Sequence, residues 1–178
     1  STSTEIADHL RLLYEKVGVE FCEKCNIPKK RQSAEEIFEN LLKKHQDKSI
    51  LISFSFQPLK KREDCLAALS ENLRSGYSRI VLDNEVLLLE DFLKDPPKKW
   101  KDIFILVDRV RLLKDDATLT RFSESLRTGM ALGRNEATLF LEENKKTKFL
   151  DTATTLVNCP QCKEVSFPKS STAFSFNS

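Results

Sequence analysis

Two pairs of cysteines offer the most definite chemistry in this sequence. Cys22-Glu-Lys-Cys25 and Cys159-Pro-Gln-Cys162 each hold two thiols at the spacing of a zinc knuckle. A structural zinc wants four tetrahedral ligands, so each pair is half a site. Three outcomes are open: all four thiolates share one zinc and tie the two ends of the chain together, each pair stays reduced, or Cys159 and Cys162 await ligands beyond Ser178. A redox role lacks the βαβ context of a thioredoxin-like motif. The fifth cysteine, Cys65, falls on a predicted helix and reads as a small packing residue.

Other chemistry is hard to assemble from these residues. The four glycines stand at 18, 76, 129 and 133, so neither a Walker-type phosphate loop nor a dinucleotide fingerprint can be written. His9 and His45 lie on predicted helices outside any metalloprotease or His–Cys arrangement, and read as surface or helix-end residues. Asp115-Asp116 and Glu142-Glu143 read as helix-start and strand-end charges rather than a general acid–base couple. The chain itself is therefore not expected to be catalytic.

The composition is that of a soluble globular protein, 40% hydrophobic and 31% charged, with 29 basic against 27 acidic residues for a net charge of +2. That balance gives no global pull on a phosphate backbone. Basic clusters at Lys29-Lys30-Arg31, Lys60-Lys61-Arg62, Lys98-Lys99 with Lys101, and Lys145-Lys146 with Lys148 read either as solvated loops or as a patch for an acidic partner. No run approaches the ~18–20 apolar residues of a membrane span, and the N-terminus lacks the flank and apolar region of a signal peptide, so the expected location is cytoplasmic.

The elements that must position these residues follow from periodicity. Thr2 and Glu5 have capping-box spacing ahead of Ile6, Leu10, Leu13 and Val17, which predicts a helix ending near Gly18. Ser33 and Glu36 repeat the signature before Ile37, Leu41 and Leu42. "KSILISFSFQP" alternates as a strand with one buried face, stopped by Pro58. Leu66, Leu69 and Leu73 predict a helix ending at Gly76. "YSRIVLDNEVLLLEDF" reads as a hairpin turning at Asp83-Asn84. "DIFILVDRVRLL" is strongly β-like, "DDATLTRFSESLRTGMALG" is an amphipathic helix ending at Gly133, and "EATLFLEE" is a further strand. The fold class is α+β, a mostly antiparallel sheet with packed helices over residues 32–150, bracketed by the two knuckles as an inserted domain would be.

Four stretches in order, "TEIADHLRLLYEKVG", "GYSRIVLDNEV", "ILVDRVRLLKDDATLTRFSESLRTGMALG" and "NCPQC" followed by "FSFNS", resemble the UvrA family, the ATPases of the ABC excinuclease in bacterial nucleotide excision repair. The resemblance covers nearly the whole chain. It implies an internal fragment: residues 1–31 and 151–178 as flanking segments of an ABC-type ATPase cassette, and residues 32–150 as a UvrB-binding domain. It also implies that the zinc module of Cys159 and Cys162 is incomplete here, because the family's second C-x-x-C follows just past the FSFNS-like stretch. Cys22 and Cys25 match the family's earlier knuckle, which is Cys-x-x-His or Cys-x-x-Cys.

By the same resemblance Arg79, in "GYSR", and Arg109, in "VDR", are the basic residues that engage UvrB, while ATP, DNA and homodimerisation belong to the full-length parent. The family commonly carries a second arginine where this chain has Val81. A competing reading of the same sequence is a zinc-dependent nucleic-acid-binding module, with the clusters at Lys29 to Arg31 and Lys60 to Arg62 tracking phosphates.

Overall fold

The structure, a computed structural model, describes residues 5–6 and 20–164. The helix expected from Thr2 to Gly18 and the FSFNS stretch lie outside the described residues, apart from the helical Glu5 and Ile6. The chain divides into two compact units, Ser1–Gln32 with Leu156–Ser178, and Ser33–Thr155.

The second unit opens as its capping signature requires. Ser33 caps α1 (Ala34–His45) by accepting the Glu36 N–H at 3.1 Å, and Phe38, Leu41 and Leu42 face inward. Then follow β1 (Ser49–Ser55), α2 (Arg62–Arg74), β2 (Arg79–Leu82), β3 (Glu85–Leu88), α3 (Leu89–Lys94), β4 (Phe104–Arg111), α4 (Asp116–Leu132), β5 (Glu136–Glu143) and β6 (Lys146–Thr154). The β2–β3 hairpin turns at Asp83 and Asn84, both with positive φ (47° and 64°), which matches the right-handed twist of the flanking strands. Asp115 caps α4 by accepting the Thr118 N–H at 2.7 Å, so the Asp115-Asp116 pair is a helix start.

Two elements depart from the sequence expectation. The run "EVLLLEDF" is not one strand: after Leu88 it turns into α3, because Leu89 and Phe92, one helical turn apart, are both buried against the same cluster. The polar stretch after Glu143, for which the sequence predicts no element, is β6, which pairs with β5 from Glu136↔Thr154 to Glu143↔Lys146 across a turn at Asn144 and Lys145.

All strand pairings are antiparallel, and the order β1-β4-β2-β3-β6-β5 closes into a barrel, with β1 pairing both β4 and β5. The seam between β3 and β6 is narrow, a single pair at Glu85↔Lys146. Closure also corrects the expectation for β1, which has both faces covered: Ile50, Leu51, Ile52 and Ser53 are all fully buried, and the Ser53 hydroxyl donates to the Thr138 carbonyl at 2.8 Å.

Three apolar clusters follow from this layout. Phe122 and Leu126 of α4 and Phe38 of α1 pack on Ile50, Ile52, Val110 and Leu139 on one side. Leu69 of α2 and Leu89 and Phe92 of α3 pack on Phe54, Ile80 and Ile105. The third cluster, Leu51, Val81, Leu106 and Phe140 with Val86 and Phe104, contains strand residues alone and is the barrel interior. Each large side chain so buried contributes on the order of 1.5–3 kcal/mol, so the helices are fixed to the outside of the barrel by its two outer clusters.

Candidate metal centre and docking surface

In the first unit the two cysteine pairs form matching knuckles. The Cys22 N–H donates to the Ile27 carbonyl and the Asn26 N–H to the Cys22 carbonyl, at 2.9 and 2.8 Å; in the second knuckle the Cys159 N–H donates to Glu164 and the Lys163 N–H to Cys159, both at 2.9 Å. Asn26 and Lys163 occupy the same position of the turn with left-handed φ of 53° and 61°. Lys30 and Asn158 pair as a β-bridge and bring the knuckles together.

The four sulfurs of Cys22, Cys25, Cys159 and Cys162 all lie within 4.8 Å of one another, with Cys22 and Cys162 at 3.5 Å. A tetrahedron with Zn–S bonds of ~2.3 Å has edges of about 3.8 Å, so the donor set fits a zinc. Of the three outcomes open in the sequence, the one in which all four thiolates share a metal has its donors side by side in this unit, the second pair of thiols coming from Cys22 and Cys25. Cys65 is elsewhere, buried in α2 beside the backbone of Leu59, as its packing role requires.

The thiols cannot all ionise unaided. The hydrogen bond with Cys162, then burial and the other two thiols, push Cys25 up to about 12, and burial raises Cys22. Burial also opposes ionisation of Cys159, but the N–H groups of Cys162 and Gln161 point at its sulfur and outweigh it, leaving it at about 7. A central cation would remove that conflict.

Lys29 is not a phosphate-tracking residue. Its side chain is 7% exposed and pairs with Glu20 at 3.6 Å. His45 sits in the last turn of α1, half-buried, its pKa lowered first by burial and then by Lys48.

The second unit carries the arginines, and register fixes where they lie. Arg109 pairs with Leu51, and Arg79 stands two residues before Val81; Leu51 and Val81 belong to the barrel interior, so both arginines are on that face. Both are exposed and line two adjoining concavities, of about 320 Å³ and 480 Å³. Glu142, two residues beyond the interior Phe140, reaches Arg109 Nη2 at 2.7 Å. Arg79 has no carboxylate partner among the described residues.

Sequence reasoning missed the group beside Arg109. Asp108 accepts two bonds from Arg121, at 2.9 Å from Nε and 2.7 Å from Nη2, one from the Ser125 hydroxyl at 2.8 Å and one from the Arg109 N–H at 2.8 Å. Burial works to raise the Asp108 carboxyl, and these bonds outweigh it and hold it below the usual carboxylate range. The available signal was Arg121 and Ser125, four apart on one helix face. Among the described residues no helix is long and apolar enough to cross a membrane.

The model of the UvrA interaction domain matches residues 32–143. UvrABC system protein A of Thermus thermophilus is 34% identical over 140 residues, 78% of this chain and 14% of that protein. The proteins of the same name from Escherichia coli K12 and Deinococcus radiodurans are 32% and 31% identical, each over 99% of this chain and 18% of the relative. The chain thus spans less than a fifth of the length of these relatives.

Proposed function

The chain belongs to the UvrABC system protein A family and carries its interaction domain, and we propose that it is the part of a nucleotide-excision-repair ATPase that docks UvrB, with Arg79 and Arg109 as the anchoring residues. The observation that carries this reading is that two arginines from different strands, β2 and β4, emerge exposed on one face of the barrel and line the same concavities. An arginine fork suits a partner carboxylate, and a pair fixed on strands gives orientation as well as attraction. Residues 1–31 and 156–178 are the flanking cassette segments of this reading; the boundary moves from 151 because β6 runs to Thr154 and pairs with β5 in the second unit. Zinc held by Cys22, Cys25, Cys159 and Cys162 would cross-link them as a structural site. ATP, DNA and homodimer formation belong to the parent, in the cytoplasm.

Titration of the chain with purified UvrB tests this. Arg79→Ala and Arg109→Ala are each expected to weaken binding by about 2 kcal/mol, the scale of a desolvated interface anchor. Binding untouched by both changes, or replaced by steeply salt-dependent capture of duplex DNA, would favour the nucleic-acid-binding module instead.

A further inference from the structure

From the geometry we infer that the docking face extends past Arg109 to α4, where Arg121 is a third docking arginine and the groove between α4 and the 75–78 turn receives an acidic, extended segment of the partner protein. The inference rests on the docking reading above. The larger concavity, about 480 Å³, is lined by Arg79, Arg109, Arg121, Asp108 and the 75–78 turn. A guanidinium has five N–H donors. Arg121 gives Nε and Nη2 to Asp108, with Nη2 also 3.2 Å from the Arg109 carbonyl, and its Nη1 has no partner among the described residues although the side chain is 61% exposed. Arg109 likewise gives Nη2 to Glu142, and its Nε and Nη1 bond to no side chain or backbone group among the described residues. The carboxylates therefore hold two of the three arginines in place while leaving donors directed away from them unspent.

Charge selects the occupant. Across the two concavities three guanidiniums and the Lys145 ammonium outnumber the carboxylates of Asp108 and Glu142, so the face attracts acids. Asp108 and Glu142 are interleaved with the arginines, which penalises a continuous polyanion such as a nucleic-acid backbone and suits a chain with separated carboxylates. Arginine is enriched in protein interfaces and lysine depleted, and the groove is lined by arginine.

The test is titration of the 178-residue chain with purified UvrB, with amide exchange followed in both states. In Arg121→Lys the ammonium can still pair with Asp108 but has no second donor arm to offer the groove. It is expected to lower the unfolding temperature less than Arg121→Ala does, since one bond to Asp108 survives, and to bind about tenfold more weakly; Arg121→Ala is expected to lose affinity and more stability together. Amides of the 75–78 turn and of the start of α4 should slow on addition of UvrB. Wild-type affinity in Arg121→Lys with no protection of the turn, while Arg79→Ala still weakens binding, would overturn the inference alone. Wild-type affinity in Arg79→Ala and Arg109→Ala would instead overturn the docking reading beneath it.

Discussion

Lys30 and Asn158 exchange both of their backbone hydrogen bonds, N–H to carbonyl in each direction at 2.9 and 3.1 Å, although they stand near opposite ends of the chain. That bridge lies beside the cysteine pairs, with Asn158 immediately before Cys159 and Lys30 a short way after Cys25. If zinc holds the four thiolates, metal and bridge form together, because a site absent from the unfolded chain converts binding energy into folding energy. Zinc-loaded protein should contain one ion per chain, and Cys22→Ser or Cys159→Ser should remove it. Chelation should speed exchange of the Lys30 and Asn158 amides while leaving those of β1 and β5 slow. Full zinc content in both serine variants would refute the shared site.

The metal set was only partly legible in the sequence. Each C-x-x-C is plain, but nothing local says which pairs meet, and the answer lies in a bridge between residues far apart in the chain. The barrel is similar. Its individual strands show in alternation and turn chemistry, as at Asp83-Asn84, whereas closure depends on β1 pairing with both β4 and β5, a non-local choice. β6 was hidden by its lysines and threonines, since a strand exposed along much of one side carries a weak apolar signal. α3 was hidden by a leucine run that fits either period. Arg79 and Arg109 were reached through resemblance, and Arg121 could not be, because its role depends on Asp108 from a different element.

Phe122 tests the larger core. It is fully buried, and its ring stands 5.4 Å from Phe38, so it joins α4 to α1 and both to the barrel. Phe122→Ala should cost about 3–5 kcal/mol, from lost transfer energy and the cavity left behind. Denaturant unfolding followed by circular dichroism would show this as a lower midpoint at similar slope. A loss under about 1 kcal/mol would mean that the α1–α4 layer is not part of the cooperative core.

Gly133 ends α4 where a side chain has no room. A Cβ there would stand 2.0 Å from the Glu136 carbonyl oxygen and 2.9 Å from both the Gly129 carbonyl oxygen and Phe54 Cβ. Two of these neighbours are backbone and cannot swing aside, so the turn into β5 must open. Gly133→Ala should destabilise the unit by about 2 kcal/mol or more, in the range of a forced backbone shift, although alanine favours helix intrinsically. Gly76→Ala is the useful comparison: φ is +98° there but nothing lies within 4 Å, so its cost is conformational strain of about 1–2 kcal/mol. Equal unfolding midpoints for Gly133→Ala and wild type would contradict the crowding.

Asp108 gives a pH dependence with a definite sign. Its folded pKa lies below the unfolded carboxylate value of ~3.9, so the folded state releases this proton more readily than the unfolded chain does. The associated stability is fully present above about pH 4 and is lost as pH falls through the lower folded value. Asp108→Asn keeps the shape but removes the titration. The stability gap between wild type and Asp108→Asn should therefore be constant from pH 7 down to about 5 and narrow steadily below about 4. Other carboxylates whose pKa values are lowered on folding, Asp115 and Glu143 among them, contribute to both proteins and cancel in that difference. Denaturant midpoints measured across this range provide the check. A gap that stays constant down to pH 3 would show that the Arg121 and Ser125 bonds do not distinguish the charged from the neutral carboxyl, and the ion pair would then be no more than a contact between β4 and α4.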